Sequence, residues 1–384
     1  MKFALTLLLA LLPLAPHAQA AATTSAAPTL AAPNLDAKTW VLYDYSSNQV
    51  LVDQDSHERI EPASLTKLMT AYLAFAALKE EKLSLSSKVA PSAAAIRTQR
   101  TESRMFLDHN KAVTIEDLLR GLIIESGNDA ARVLAEAIAD NESAFAELMN
   151  KAALRLNMHD THFVNSTGLP DPQHYSSAYD LALLGAAIVR DFPEYYPLYS
   201  QREFQYNNIK QFNRNRLLWQ DPYVDGMKTG HTESAGFCQV SSARRGEHRL
   251  ISVVIGTESE FQRATESQRL LNHGFQNFEA LALYGKNQPV TSVQLWKGTE
   301  KRVNVGYRDG LTITIPQGMR AQLKATIETQ RPLLAPLSAG QRIGTLKFTL
   351  GGKHYLELPL LTLEAVPMAN EFSRGVDSIR MLFN

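Results

Sequence analysis

The order of apolar patterns along the chain constrains its fold more than any other sequence feature. Alternating apolar and polar residues predict a β-hairpin from Thr39–Tyr45 and Gln49–Val52. Helical periodicity then dominates, until alternating runs return at Gly236–Ala243 and Leu250–Ile255, followed by a helix over 261–278. Because strands come early and late with helices between them, we expect an α+β fold. In it, an antiparallel sheet whose first and last strands meet is covered by helices.

Four helices are predicted between the two groups of strands. The first begins at Ser64 and carries apolar residues at three- and four-residue spacing. The second covers 114–139, where a threonine followed by acids in the first turn is an N-cap signature. The other two cover 143–156 and 178–189.

Changes in composition predict the remaining organisation of the chain. A charged start, an apolar run and a small-residue cleavage site make residues 1–20 a signal peptide. Residues 21–38 are rich in Ala, Thr, Ser and Pro and are expected to be disordered. The principal domain then covers 39–283, and short alternating runs punctuated by Gly and Pro predict a small all-β domain over 284–366.

The tail, residues 367–384, has the pattern of an amphipathic helix. Its charged residues fall away from one apolar stripe, which consists of Met368, Phe372, Val376, Ile379 and Phe383. At the end of an exported protein such a helix suits a membrane surface. A helix packed on its own β domain is the alternative, and the balanced charge of the tail leaves that alternative open.

Charge and cysteine content exclude several classes of protein. Basic and acidic residues both number 39, so no long-range field favours nucleic acid. The single cysteine, Cys238, excludes an intrachain disulfide, and its apolar surroundings predict a small buried side chain. The chain carries no nucleotide fingerprint or zinc-ligand cluster, so we expect no metal and no organic cofactor.

Three short strings occur in one order: Ser64-Leu65-Thr66-Lys67, Ser126-Gly127-Asn128 and Lys228-Thr229-Gly230. Lysine three residues after serine on a helix places both side chains on one face. A desolvated lysine near other cations loses its proton near neutral pH and can then activate the serine hydroxyl. At the start of a helix, the serine N–H is also free to stabilise an oxyanion.

The other two strings can complete such a site. The middle string is predicted to form a loop in which Ser126 relays a leaving-group proton, while the Asn128 amide binds a substrate carbonyl and holds Lys67 in place. The third string is expected to precede a strand, with Gly230 allowing a substrate backbone to approach and Lys228 and Thr229 binding a carboxylate. Each string alone is common, and without the other two a Gly-containing turn with an Asn cap would be the preferred explanation of the middle one.

The chain resembles the low-molecular-mass penicillin-binding proteins, D-alanyl-D-alanine carboxypeptidases of peptidase family S11. The resemblance extends over 39–278 and more weakly over the β domain and tail. It rests on the three strings together with Ser103-Arg104-Met105-Phe106-Leu107, Asn165-Ser166-Thr167-Gly168-Leu169 and Asn213-Arg214-Asn215.

The resemblance implies a role for each matching residue. Ser64 would be the acylated nucleophile and Lys67 its base, with Ser126 and Lys228 in proton relay and Asn128 positioning the substrate. The backbone N–H groups of Ser64 and His231 would form the oxyanion hole. Substrate-binding residues would be Lys228, Thr229, Gly230, His231, Arg263 and, with a structural salt bridge as a rival for both arginines, Arg214.

The resemblance also implies partners and a location. The substrate would be a peptidoglycan stem peptide ending in D-Ala-D-Ala, and β-lactam antibiotics would acylate the same serine. The protein would lie in the periplasm, peripherally attached to the outer face of the inner membrane through 367–384.

Two other functions compete with this interpretation. A class A β-lactamase needs a glutamate for deacylation, but the loop over 161–174 contains none, and Glu147 follows a helical pattern. A non-catalytic envelope protein could keep the fold, although the intact Ser64, Lys67, Ser126 and Lys228 argue against it.

Overall fold

The computed structural model describes residues 31–382, which fall into two compact units. Within that range, the first unit comprises 31–283 and 311–320, and the second comprises 284–310 and 321–382. The predicted signal peptide, residues 1–20, and the first part of the predicted linker lie outside the described residues, as does Phe383.

Strands at both ends of the first unit enclose a helical middle section, as the apolar patterns predict. Its elements are β1 (Thr39–Asp44), β2 (Gln49–Gln54), α1 (Lys67–Lys79), β3 (Lys88–Val89), β4 (Val113–Thr114), α2 (Ile115–Arg120), α3 (Asn128–Ile138), α4 (Glu142–Arg155), α5 (Ala178–Asp191), β5 (Glu203–Tyr206), β6 (Ile209–Phe212), α6 (Leu217–Gln220), β7 (Val224–Thr232), β8 (Gly236–Arg245), β9 (His248–Thr257), α7 (Glu260–Asn277) and β10 (Phe278–Tyr284).

A five-stranded antiparallel sheet in the order β2-β1-β9-β8-β7 forms the centre of this unit. The first and last of its strands along the chain, β1 and β9, pair as predicted. Successive residues of β1 point to opposite faces, so Val41 and Tyr43 join a core with the middle helices. Trp40 and Leu42 join a second core, to which α7 contributes. The sheet is therefore covered on both faces.

The predicted helix over 114–139 is interrupted in the structure. Thr114 caps α2 as expected, since its Oγ1 accepts a hydrogen bond from the Asp117 N–H at 3.0 Å. A π-helical turn, Gly121–Glu125, follows, and Ser126 adopts a left-handed backbone conformation with φ of 66°. Helix α3 then begins anew. Because of this break, the Ser126 side chain points in a direction that it could not take in a continuous helix.

The prediction of disorder over 21–38 is wrong for its described part. Leu35 is only 5% exposed and joins the core on the α7 face of the sheet. The carbonyl of Asn34 accepts a hydrogen bond from Arg269 of α7 at 2.9 Å. Composition was misleading because these contacts are made with residues that are distant in the sequence.

Strand patterns after residue 284 form the predicted β-rich unit, with one exception. The elements are β11 (Pro289–Gln294), β12 (Arg302–Gly306), β13 (Leu311–Pro316), β14 (Leu323–Thr329), β15 (Arg342–Leu350), β16 (Lys353–Thr362) and α8 (Glu371–Arg380). Five strands form a sheet in the order β11-β12-β16-β15-β14. The exception is β13, which pairs with β10 and belongs to the first unit, contrary to the predicted domain limits of 284–366. Long-range pairing of this kind leaves no local signal.

Helix α8 lies against the second unit through its polar side. Asp377 is 2% exposed and accepts hydrogen bonds from the Lys297 N–H at 2.8 Å and from Lys301 Nζ at 3.1 Å. The apolar stripe faces outward, with Phe372 83% and Ile379 61% exposed. Among residues 31–382, no helix combines the length and apolarity needed to cross a bilayer.

Candidate active site

Ser64 and Lys67 lie together at the start of α1. The sequence predicted that Ser64 begins an α-helix, but it lies in a 3-10 turn, Ala63–Thr66, that leads into α1. Residues three apart eclipse each other in a 3-10 turn, so the spacing still brings the two side chains together. Lys67 Nζ lies 2.9 Å from Ser64 Oγ.

A loop beneath this turn holds Lys67 in place. Lys67 Nζ donates a second hydrogen bond, of 2.8 Å, to the carbonyl of Thr167. Asn165 Oδ1 accepts hydrogen bonds from the N–H groups of Thr167 and Gly168 and so shapes the loop. Gly168 has φ of +84°, and a Cβ there would lie 1.8 Å from the carbonyl oxygen of Ala63. Only glycine lets the loop lie this close to the turn that carries Ser64.

The surroundings of Lys67 favour its neutral form. The side chain is 1% exposed, and burial lowers the pKa of Lys67 from 10.5 to about 7, with the positive charges of Arg214 and Arg132 adding to the effect. Glu102 and Asp129 oppose it. A substantial fraction of Lys67 is therefore uncharged near neutral pH and can accept the Ser64 proton.

Ser126 and Lys228 form a second serine–lysine pair. The left-handed conformation at Ser126 ends the π-helical turn, and Lys228 Nζ donates to Ser126 Oγ at 2.8 Å. Burial lowers the pKa of Lys228 well below its ordinary value, and the positive charges of Lys67, Arg214 and Arg263 lower it further. Because the two lysines repel each other's protons, together they favour the loss of one proton near neutral pH.

The third string lies inside a strand, not before one as predicted. Lys228, Thr229 and Gly230 belong to β7, the outer strand of the five-stranded sheet. A Cβ on Gly230 would lie 3.3 Å from the Ala63 Cβ and from Leu65. The prediction that this glycine admits a substrate backbone stays a prediction, and the contacts show a further role for the glycine. It lets β7 lie against the turn that carries Ser64.

The predicted substrate-binding arginines both have protein partners. Arg214 pairs with Glu125, the residue before Ser126, through Nη2–Oε1 at 2.6 Å and Nε–O at 3.1 Å. Arg263 has a side chain only 3% exposed, and it lies 3.7 Å from a carboxylate oxygen of Glu260. The structural salt bridge considered from the sequence is thus present at both positions. The Arg214 side chain remains 41% exposed.

The remaining predicted positions are placed as follows. Thr229 is buried, and the exposed His231 stacks on Phe237 with ring centroids 4.0 Å apart. Asn128 is buried at the start of α3, where Nδ2 donates to Glu102 Oε2 at 2.7 Å, and the Thr167 carbonyl holds Lys67 in place of the Asn128 amide. Cys238 is buried as predicted, and burial raises the pKa of its thiol to about 11. Over residues 31–382, no group of three or more His, Cys, Asp or Glu could hold a metal ion.

Sequence reasoning assigned no role to several residues that shape the site. Glu102, Arg132 and Glu125 touch it through pairings between distant segments, for which the chain gives no local signal. Thr167 holds Lys67 through its backbone carbonyl, a group that every residue type carries, so its side chain gives no signal of that contact. The string Asn165–Leu169, which contains Thr167, was the one sequence feature that pointed to this loop.

The arrangement is suited to acyl transfer. A hydroxyl lies within hydrogen-bond distance of a lysine that is partly neutral, and a second hydroxyl is held by another buried lysine. The first pair can form an ester, and the second can deliver a proton to a leaving group.

Comparison with known proteins identifies two families along the chain. A family model described as D-alanyl-D-alanine carboxypeptidase matches residues 23–259. A second, described as the C-terminal domain of penicillin-binding protein 5, matches residues 278–368.

Individual relatives cover nearly the whole chain. The Escherichia coli K12 protein named D-alanyl-D-alanine carboxypeptidase DacC is 41% identical over 93% of this chain and 90% of its own length. The crystal structure of penicillin-binding protein 5 from Haemophilus influenzae is similar with a TM-score of 0.84 and 41% identity, over 88% of this chain and 99% of that one. Penicillin-binding protein D2 from Listeria monocytogenes, in its ampicillin-bound form, is similar over 64% of this chain and 100% of that one, with a TM-score of 0.58 and 28% identity.

Proposed function

The chain belongs to the D-alanyl-D-alanine carboxypeptidase family of serine peptidases, and from that premise we propose that it removes the terminal D-alanine of peptidoglycan stem peptides through an ester on Ser64. The observation that carries this proposal is the 2.9 Å contact between Ser64 Oγ and the buried, partly neutral Lys67 Nζ. No step of the reaction calls on a group from outside the chain other than water.

Acylation begins when Ser64 Oγ attacks the carbonyl carbon of the penultimate D-alanine and Lys67 Nζ takes the hydroxyl proton. The C–N bond to the terminal D-alanine then breaks, and the departing nitrogen takes a proton from Ser126 Oγ. Lys228, which donates to that oxygen, resupplies the proton. Lys67 is then protonated and Lys228 neutral, so the proton count of the site is unchanged.

Deacylation reverses the same transfers with water in place of the amine. Water adds to the ester carbonyl and gives its proton to Lys228, and Ser64 recovers its proton from Lys67. The backbone N–H groups of Ser64 and His231 would stabilise the oxyanion in both halves. Thr229 and Arg263, beside Lys228, would bind the substrate carboxylate.

A β-lactam would form an ester with the same serine, and that ester would be hydrolysed slowly. Its opened ring stays attached, so no leaving group departs to make room for water. The rapid deacylation of a class A β-lactamase needs a free glutamate beside the ester. Glu147 is exposed, and Glu142 is engaged by Ser166 through its N–H at 3.0 Å and its hydroxyl at 2.6 Å. We therefore expect a persistent penicilloyl-enzyme.

Release of D-alanine tests the proposed activity. The purified chain is incubated with a soluble diacetyl-L-lysyl-D-Ala-D-Ala peptide, and free D-alanine is quantified. Activity should be lost in Ser64→Ala and retained in Ser86→Ala, an exposed serine after α1 that serves as the matched control. Equal activity in wild type and Ser64→Ala would refute the assignment of the nucleophile.

We further propose a periplasmic location with α8 bound to the outer face of the inner membrane. The orientation of α8 supports this proposal. Its polar side is docked through Asp377, while its apolar stripe, which includes Phe372 and Ile379, faces outward. The alternative, in which the stripe packs on the β unit, would bury these side chains. An outward apolar stripe suits the boundary between headgroups and acyl chains.

Sedimentation with vesicles tests the membrane proposal. The full chain should sediment with phosphatidylethanolamine–phosphatidylglycerol vesicles, and a Phe372→Asn/Ile379→Asn variant should remain largely in the supernatant. Leu154→Asn is the matched control, because Leu154 is 66% exposed on α4 of the other unit. Undiminished sedimentation of the double variant would exclude α8 as the anchor.

A further inference from the structure

Glu102 and Arg132 form an ion pair beside Asn128. Glu102 Oε2 accepts from Arg132 Nη2 at 2.9 Å and from Asn128 Nδ2 at 2.7 Å, and Oε1 accepts from the Gln99 N–H at 2.9 Å. The carboxyl side chain is 5% exposed and that of Arg132 is 15% exposed. Every contact is therefore largely shielded from water, where hydrogen bonds to charged groups are strong.

The carboxylate fixes the orientation of the Asn128 side chain. An ionised carboxylate only accepts hydrogen bonds, so it selects the amide nitrogen of Asn128 and turns the carbonyl oxygen away. That oxygen has no hydrogen-bond partner within the described part of the chain, whereas one of the two amide hydrogens is already engaged. Asn128 thus keeps an acceptor oxygen and a single remaining donor that no described residue engages.

The same pair contributes opposite charges to the surroundings of Lys67. The cations around that lysine are Arg214, Arg132 and Lys228, and the anions are Glu102 and Asp129. While the pair is intact, its two charges largely cancel at Lys67. Loss of either member leaves the other uncompensated close to the base.

We propose that the Glu102–Arg132 pair is a positioning element of the reaction that orients the Asn128 carboxamide and balances the charge around Lys67. This inference rests on the proposed role of Lys67 as the base. It makes Glu102 and Arg132 act through other residues and assigns neither of them a contact with substrate.

If the pair balances the charge around Lys67, removing one member or the other should shift the pH dependence of acylation in opposite directions. Neutral Lys67 is the reactive form, so acylation falls as pH drops through the pKa of Lys67. Glu102→Gln removes a charge that raises this pKa, and the acid limb should move to lower pH by on the order of half a unit. Arg132→Gln removes a charge that lowers the pKa, and the limb should move to higher pH by a similar amount.

The experiment measures acylation by a fluorescent penicillin from pH 5 to 9 in the full chain. The double variant, Glu102→Gln/Arg132→Gln, restores charge balance, so its limb should return near that of wild type. Its maximal rate should still be about tenfold lower, because Asn128 is no longer held by a carboxylate. Glu136→Gln is the matched control, since Glu136 lies one turn after Arg132 and bonds to Ser92 instead.

Separate outcomes test this inference and the function on which it rests. Thermal unfolding identifies any variant that fails to fold, and the conservative Glu102→Asp should then retain the wild-type limb. The inference would be overturned if the acid limbs of the Glu102→Gln and Arg132→Gln pH profiles shifted in the same direction, or did not shift although both variants were folded. Wild-type acylation by Lys67→Ala would instead overturn the role of Lys67.

Discussion

Replacing Lys67 by methionine should abolish acylation and stabilise the first unit. Methionine is close to lysine in length and carries no charge, so it keeps the packing of a side chain that is 1% exposed. The native fold holds this lysine at a pKa of about 7, compared with an ordinary value of 10.5. The burial that makes Lys67 neutral, and so reactive, also lowers the stability of the folded protein, because burying the protonated amine is unfavourable.

The magnitude follows from proton linkage. Between pH 7 and 10.5 the unfolded chain binds a proton at Lys67 that the folded protein does not, so wild-type stability rises with pH across this window. At or below pH 7, the lowered pKa of Lys67 reduces the free energy of unfolding by about 5 kcal/mol, relative to high pH where the lysine is neutral in both states. The variant leaves the Thr167 carbonyl without its lysine donor, at about 1–3 kcal/mol. A net stabilisation of roughly 2–4 kcal/mol at pH 7 remains as the difference of these two estimates.

Calorimetric unfolding at pH 7 and at pH 10 measures this effect. The variant should unfold several degrees above wild type at pH 7, and the difference should shrink toward pH 10. Lys82→Met is the matched control, because Lys82 is 71% exposed just after α1 and should change stability by less than about 0.5 kcal/mol. A Lys67→Met variant less stable than wild type at pH 7 would refute the reasoning, as would a difference independent of pH.

Two further predictions concern acylation by penicillin. Gly230→Ala places a Cβ 3.3 Å from Ala63 and Leu65, so it should push β7 from the Ser64 turn, with about 1–2 kcal/mol of destabilisation and at least tenfold slower acylation. Gly375→Ala meets no atom within 4 Å and should leave acylation unchanged, and stopped-flow fluorescence compares the two. In wild type, acylation should fall roughly tenfold per pH unit below about pH 7, because Lys67 becomes protonated. A flat profile from pH 5 to 8 would exclude Lys67 as the base.

Local patterns were sufficient to predict most of the first unit. The hairpin β1–β2, the pairing of β1 with β9 and the helix α7 follow from periodicity and turn residues. The pairing of serine with lysine in the first string also survives the change from an α-helix to a 3-10 turn, because both place residues three apart on one face.

The features that sequence reasoning missed depend on contacts between distant segments or on unusual backbone conformations. The left-handed conformation of Ser126 interrupts the predicted helix over 114–139, at the string where a loop was also predicted, and no propensity indicates the left-handed backbone itself. Strand β13 leaves the predicted β domain because its partner, β10, lies in the other unit. Glu125 and Glu102 carry no local signal of a role, since only the fold brings Arg214 and Asn128 to them.

Intact-protein mass after brief exposure to benzylpenicillin tests the central claim most directly. The account predicts one added drug molecule per chain, located by peptide mapping on Ser64, that persists for minutes and is absent from Ser64→Ala. An adduct of the same size in Ser64→Ala would contradict the assignment of the nucleophile. An unmodified wild-type protein with the drug intact would contradict acyl transfer itself, and rapid hydrolysis of the drug without an adduct would instead identify a β-lactamase.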